Sequence, residues 1–311
     1  MTSDVLAHAC PHPLLIDRYR VQTQAIEQLH QTIKQWLYTG ATGGYVWGEP
    51  RSGKTTALEY VSAALRTRAG KPIRVFTYNA KTFSVTTDNK LWTAILSALG
   101  HGMAHMGNAI DKYERLVSFL AEQALTNEVQ QVVLIIDEAQ KWQRLEFEMM
   151  VDLGNDLRRR GVQLCLILVG TRELRERAQQ LDKHLNGHIR GRFFLRMAEY
   201  RGLRNVQEVA FALRQYDDVL RWPDDSGVPF TQYLLPEPYQ AGFRLEACAG
   251  LLWHVFTEMR EQHGFGDWPM AYFVVLVQVL LLDYLPEYGS ERCDESMVAS
   301  ALESTGLCYL P

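Results

Sequence analysis

Gly48-Glu-Pro-Arg-Ser-Gly-Lys-Thr55 is the stretch on which the reading of this chain turns. Its spacing, G-x-x-x-x-G-K-T, is that of a loop that wraps phosphates. Glycines let the backbone close around oxyanions, and the loop amides with the start of a helix present positive potential to them. The loop also stands where that chemistry needs it. Gly44-Tyr-Val-Trp-Gly48 reads as a short buried strand running into a glycine turn, and Lys54–Arg68 carries Leu58, Val61 and Leu65 at helical spacing. The spacing therefore assigns Gly48, Glu49, Pro50, Arg51, Ser52, Gly53, Lys54, Thr55 and Thr56 to the phosphates of ATP. Lys54 is expected to reach the β- and γ-phosphates and Thr55 to ligate Mg²⁺.

Two further stretches support this. Val132-Val-Leu-Ile-Ile-Asp-Glu138 is an apolar strand ending in two carboxylates, which a parallel sheet would carry to the edge where ligands bind. Asp137 is expected to hold Mg²⁺ through water, and Glu138 to orient or deprotonate the attacking water. Between the two motifs lies another strand, Ile73–Tyr78, a pattern that fits the branch of phosphate-loop proteins with an extra central strand and a catalytic glutamate. Leu164-Cys-Leu-Ile-Leu-Val-Gly-Thr171 is a second buried strand ending in a polar residue. Thr171 can sense the γ-phosphate or its water, or cap the helix that begins at Glu173, and the two roles are compatible.

Strands alternating with helices imply an α/β fold with right-handed crossovers. Helices are expected at Val21–Leu37, Leu91–Leu99, Tyr113–Leu125, Gln143–Arg160 and Glu173–Leu181, with a fifth strand at Arg192–Met197. After about residue 202 the character changes. Val206–Leu220, Phe243–Gln262, Met270–Tyr284 and Glu295–Ser304 all read as helices, and the acidic, proline-bearing 222–239 stretch as a loop. The expected architecture is a phosphate-loop core with a five-stranded parallel sheet flanked by helices, plus a C-terminal helical lid. Its segments are an N-terminal extension and helix at 1–42, the core at 43–202 and the lid at 203–311.

Composition narrows the class. With 311 residues, 47% of them hydrophobic and 22% charged, the chain has the make-up of a two-domain globular protein. Its five cysteines are scattered and form no C-x-x-C pair, which points to a reducing, cytoplasmic setting. The N-terminus has no secretory pattern, and the longest apolar stretch, Tyr272–Leu282, is broken by Gln278 and too short for a bilayer, so no membrane is expected. His101 and His105 have helical spacing but no third ligand, and the scattered tryptophans read as core or loop anchors. The net charge of −4 argues against a general nucleic-acid coat. Its distribution is uneven: residues 158–204 hold twelve Lys/Arg against four Asp/Glu, and 205–311 hold five against sixteen. That asymmetry suits an anionic partner or subunits meeting basic face to acidic face, and equally suits solvated helix faces.

Phosphate loop, Asp-Glu strand, Gly-Thr after the fourth strand and a helical lid together resemble the AAA+ ATPases. Within them, Asp137-Glu-Ala-Gln140 and Leu168-Val-Gly-Thr171 followed by Arg-Glu-Leu resemble the transposition regulators called TnsC or TniB, relatives of the IstB and DnaC group. The resemblance covers about residues 12–200. It implies an arginine finger that reaches a neighbouring subunit's ATP, here Arg192 first and Arg190 second, and a lid arginine, Arg244, in Gly242-Phe-Arg-Leu-Glu246. Arg244 can instead be an ion-pair partner of Glu246 or Glu208. The resemblance also implies that Lys81, Thr82 and Lys90, with Ser84 and Thr86, contact duplex DNA after the second strand. The rival grip is Arg158-Arg-Arg160. The implied function is an ATP-dependent switch that forms a homo-oligomeric ring or helical filament on double-stranded DNA. Its implied partners are a transposase and a target-selection protein of the TniQ type. A helicase-loader or DNA-remodelling ATPase and a non-hydrolysing ATP-binding scaffold are the alternatives.

Overall fold

Val132 to Ile136 offer no polar face, and such a strand is stable only where both of its faces are covered. In the computed structural model all five are fully buried in β3 (Gln131–Asp137). The structure describes residues 11–307 apart from 84, 127, 185, 186 and 265, with the backbone alone at 181–184, 262 and 263; Cys10, Ser84 and Cys308 therefore lie outside the described residues. β3 lies between β2 (Arg74–Asn79) and β4 (Gln163–Gly170), and the sheet continues through β1 (Gly43–Trp47) to β5 (Met197–Glu199). The order is β2-β3-β4-β1-β5, and every pairing is parallel.

Parallel neighbours need crossovers, and helices provide them. α1 (Gln24–Tyr38) precedes the sheet, and α2 (Lys54–Ala64) follows β1. α3 (Asp88–Ala98) and α4 (Ala109–Thr126) follow β2, α5 (Arg144–Arg159) follows β3, and α6 (Arg172–His184) follows β4. Alternation along the strands sends Leu134, Ile136, Leu166 and Leu168 to one face, against Trp92, Leu116, Leu120 and Phe147. Val133, Ile135, Ile167 and Val169 go to the other, against Ile33 and Trp36 of α1 and Leu58 and Val61 of α2. Each such side chain contributes roughly 1.5–3 kcal/mol by burial, so the central strands form the rigid frame that carries the loops at their ends.

Two expected elements differ. α2 ends at Ala64 rather than Arg68, because Leu65 turns extended and Arg66 bridges to Pro72. The fifth strand is only Met197–Glu199; before it come the three-residue α7 (Gly187–Ile189) and a π-turn at Arg190–Phe194. Phe193 and Phe194 both enter the same core cluster. Consecutive strand residues point to opposite faces, so two adjacent phenylalanines on one face require a helical turn.

The chain forms two compact units, Ala25–Arg201 and the segment up to Gln24 together with residues from Gly202 onward. These divide the chain differently from the expected 1–42, 43–202 and 203–311. Nearly all of α1 belongs to the sheet unit, because Ile26, Leu29, Ile33, Trp36 and Leu37 pack in its core, while Leu14 and Val21 belong to the helical unit.

The helical unit contains α8 (Val206–Arg214), α9 (Phe230–Leu234), α10 (Pro236–Gln240), α11 (Ala249–His263), α12 (Met270–Val279), α13 (Leu285–Tyr288) and α14 (Glu295–Ser304). The 222–239 stretch, expected to be a loop, thus contains α9 and most of α10. Phe256 and Trp268 stack with centroids 4.4 Å apart at the centre of this unit. The carboxylate of Asp217, 1% exposed, accepts the backbone N–H groups of Leu245 and Glu246 at 3.0 and 2.9 Å and so caps the turn leading into α11. The helical run Met270–Tyr288 extends past the apolar stretch seen in the sequence. By length and composition, it is the one helix among the described residues that could cross a membrane. Phe273, Leu276, Val277, Leu280 and Leu281 on it are fully buried in the unit's core.

Candidate nucleotide site

Parallel strands place all their carboxyl ends at one edge, and registry brings this chain's motifs together there. Trp47 pairs with Gly170 and Asn79 with Asp137, so the segments after β1, β3 and β4 leave the sheet side by side. β4 stands between the phosphate-loop strand and the Asp-Glu strand, as the extra-strand branch requires.

At the start of the loop, a Cβ on Gly48 would lie 2.1 Å from the carbonyl oxygen of Tyr200, so only glycine fits past the end of β5. α2 then begins at Lys54. The Lys54 ammonium donates to the carbonyls of Gly48 and Glu49 at 2.8 and 2.7 Å, inside the loop. Ser52 is 1% exposed and its hydroxyl has no hydrogen-bond partner. A buried hydroxyl seldom goes unsatisfied, and a phosphate oxygen held by this loop would satisfy it. The Thr55 hydroxyl donates to Asp137 Oδ2 at 3.5 Å, which is weak as a hydrogen bond but puts the two expected magnesium ligands around one point. Burial pushes the Asp137 carboxyl above the usual carboxylate range, opposed by the hydrogen bond from the Glu138 backbone N–H and by the Lys54 charge. Burial likewise lowers the Lys54 ammonium, opposed by Asp137, Glu138 and Glu49. For both groups the loss of water outweighs the opposite charges nearby, and Mg²⁺ at Asp137 and phosphate at Lys54 would offset that loss. The donor set therefore fits a magnesium nucleotide.

Glu138 has a left-handed backbone (φ 58) and opens a 3₁₀ turn, Ala139–Lys141. Its Oε2 accepts Gln140 Nε2 at 2.9 Å and lies 3.5 Å from Lys141 Nζ. Gln140 is 8% exposed, and its Oε1 accepts the backbone N–H of Thr171 at 3.3 Å. One buried amide thus ties the expected catalytic carboxylate to the end of β4. Sequence reasoning quoted Gln140 but gave it no role; the only signal was an amide in a stretch otherwise committed to the core. The carbonyl of Thr171 closes the first turn of α6 by accepting from Leu174 N at 3.0 Å. Its hydroxyl makes no hydrogen bond among the described residues, so the side chain is available as a sensor.

The finger candidates stand elsewhere. The Arg192 carbonyl accepts the hydroxyl of Thr42, just before β1, at 3.2 Å, and its guanidinium donates to Asn155 Oδ1 at 2.7 Å. This is the amino edge of the sheet, one strand length from the phosphate loop. At about 3.3 Å per residue, the five residues of β1 span roughly 16 Å, beyond the reach of any arginine to its own loop. Arg190, in the same turn, is exposed. In the helical unit, Arg244 lies 3.5 Å from the Tyr239 ring centroid and donates to the carbonyls of Tyr239 and Phe243 at 3.0 and 2.7 Å. Glu246 pairs instead with Arg214.

The candidate DNA residues divide. Lys81 and Thr82 are exposed after β2, and Lys90, in the first turn of α3, donates to the Val85 carbonyl at 3.1 Å. The Thr86 hydroxyl is instead engaged with Glu146 Oε1 at 2.7 Å, and Glu146 caps α5. In the rival triplet, Arg159 is paired with Asp156, and Arg160 with Glu114 at 3.0 Å. Among the described residues there is no His/Cys/Asp/Glu cluster suited to a metal, so His101 and His105 form none.

Residues 38–178 match the protein-family model described as an AAA domain. Among solved structures, the chain is similar to Drosophila ORC bound to DNA at 17% identity and a TM-score of 0.55, covering 90% of this chain and 65% of that one. It is also similar to the Aeropyrum pernix ORC2 protein (18%, TM-score 0.44, 92% and 69%) and to Thermotoga maritima RuvB (14%, TM-score 0.46, 93% and 71%). No curated protein matches it. Sheet order, phosphate loop and AAA domain together make this an AAA+ P-loop fold.

Proposed function

We propose that this chain is a magnesium-dependent ATPase that works as an oligomeric switch on double-stranded DNA. The observation that carries the reading is the division of the site between opposite edges of one sheet. The loop, Asp137, Glu138 and Thr171 stand at the carboxyl edge, whereas Arg190 and Arg192 stand a strand length away at the amino edge. An arginine at the amino edge cannot reach the phosphates of its own subunit, so as a finger it serves a neighbour's. Hydrolysis then depends on assembly, and a ring or filament follows from repeating that contact.

In this mechanism the loop amides, Lys54 and Ser52 would hold the phosphates, and Thr55 and Asp137 would hold Mg²⁺, which would neutralise charge on the phosphoryl group. Glu138 receives or orients the proton of the attacking water while Gln140 fixes the direction of its carboxylate. Thr171 follows the γ-phosphate. The hydrogen bond by which Gln140 holds the half-buried Glu138 carboxylate favours hydrolysis over a passive scaffold. Drosophila ORC, which shares the fold, was solved bound to DNA, and here Lys81, Thr82 and Lys90 would supply phosphate contacts. The Asp137–Gln140 and Leu168–Thr171 runs support a transposition regulator in the cytoplasm that links a TniQ-type target-selection protein to a transposase.

The test is hydrolysis per subunit against protein concentration, with and without duplex DNA, paired with electron microscopy in a slowly hydrolysed ATP analogue. Turnover per subunit should rise with concentration and with DNA, and rings or filaments should coat the duplex. A rate per subunit independent of concentration would refute the shared site.

A further inference from the structure

One cation cluster in the sheet unit stands apart from carboxylates. Lys81, Lys90, Lys112 and His105 line a hollow of about 430 Å³, together with Phe83, Asn89, Thr93, Ala94 and Ser97, and no aspartate or glutamate lines it. Elsewhere in the unit Lys71, Lys141, Arg144, Arg159 and Arg160 each have a carboxylate partner. None of the hollow's three lysines has one among the described residues.

We infer that this hollow binds a backbone phosphate of a nucleic-acid strand, with Lys112 as its buried anchor. The inference rests on the DNA reading above and adds residues that reading did not contain. Lys112 is only 5% exposed, and its ammonium donates to Asn89 Oδ1 at 2.5 Å. A buried cation satisfied by a neutral acceptor keeps an unbalanced charge, which an anion beside it offsets. The same bond commits the Asn89 oxygen and leaves its NH₂ group as a donor. Lys81 and Lys90 are exposed where they line it, so three positive charges border one hollow. Lys81, Asn89, Lys90, Ser97 and His105 are all exposed, so the hollow is open to water and poorly suited to enclosing a free small anion. A polyanion is different: its phosphates are tethered in a row, and each contact releases counterions.

Wild type, Lys112→Met and Ser97→Glu, as full chains, are titrated with a fluorescent duplex over a salt series. Affinity for an ATP analogue serves as the folding control. Both variants should bind duplex about tenfold more weakly, with the salt slope reduced by about one unit in Lys112→Met. Nucleotide affinity should stay unchanged. Ser97 is exposed, so its variant decides the matter where Lys112→Met fails to fold. A wild type that binds duplex beside folded variants that bind equally well overturns the hollow and leaves the DNA reading standing. If the wild type binds no duplex, the DNA reading falls on its own. The hollow is then judged by titration with a single-stranded oligonucleotide in a Lys54→Ala background, which silences the phosphate loop. Binding that disappears with Lys112→Met supports the hollow as a strand-phosphate site, and no binding overturns it.

Discussion

The two edges of the sheet hold the same kind of charge in opposite ways. At the carboxyl edge, Lys54 is 9% exposed and folded into its own loop, with Asp137 and Glu138 close enough to shift its ionisation. At the amino edge, Arg192 is only partly buried, held by one neutral amide, and Arg190 is exposed. A cation bound into its own loop serves the subunit that carries it. One on the far edge lies beyond reach of that loop, so on the proposed reading it serves a neighbour.

The sharpest way to break this contrast is Lys54→Ala. It removes charge-assisted bonds to phosphate worth about 1.5–3 kcal/mol each, so ATP affinity should fall at least about 100-fold in a direct titration. Unchanged affinity would refute the cis role. A double Arg190→Ala/Arg192→Ala chain should bind ATP normally yet hydrolyse it about 1,000-fold more slowly. Mixing it with Lys54→Ala subunits should restore turnover, because one partner binds ATP and the other supplies the arginine. Hydrolysis that stays at wild-type level in the double variant would leave the amino edge without a catalytic role.

Two substitutions sharpen the carboxyl edge. Glu138→Gln should leave ATP binding intact and slow hydrolysis about 100-fold or more, with longer-lived DNA-bound assemblies. Gln140→Ala should cut kcat about tenfold while KM for ATP stays put, because it frees the direction of the Glu138 carboxylate without touching phosphate. A rise in KM alone would show that Gln140 serves binding instead. The smallest effect concerns Asp137. Its carboxyl is raised by burial, so the folded state favours the protonated form. That favourable contribution is fully present below the unfolded-state range and lost as pH rises through the raised folded value, leaving ionised Asp137 a net cost at neutral pH. Asp137→Asn should therefore raise the nucleotide-free Tm by about 1–3 °C at neutral pH and abolish the further rise that Mg-ATP gives wild type. A lower Tm would contradict the buried-charge account.

The site was legible where chemistry is written in contiguous residues. Glycine spacing in the loop and the carboxylates at the end of an apolar strand need no tertiary information, and β3, β4 and α14 lie where periodicity puts them. The fifth strand misled because Arg192-Phe-Phe-Leu195 has strand-like composition, while the packing of both phenylalanines on one side is settled only by the core. Nor could spacing reveal Gln140 or Lys112. The first bonds to a backbone amide thirty-one residues on, and the second to an asparagine twenty-three residues back. Thr86 looked like a free hydroxyl until α5 brought Glu146 to it.

The contact between Gly170 and Gln140 has a historical consequence. A Cβ at 170 would fall 2.3 Å from Gln140 Oε1, with Leu174 Cβ next at 3.0 Å. Alanine arriving first at 170 would push the Gln140 side chain out of its place beside Glu138. The reverse order, in which 140 shortens before 170 grows, stays open apart from the Leu174 contact. The two positions are therefore coupled in descent, and a change at one is felt at the other through a single amide oxygen.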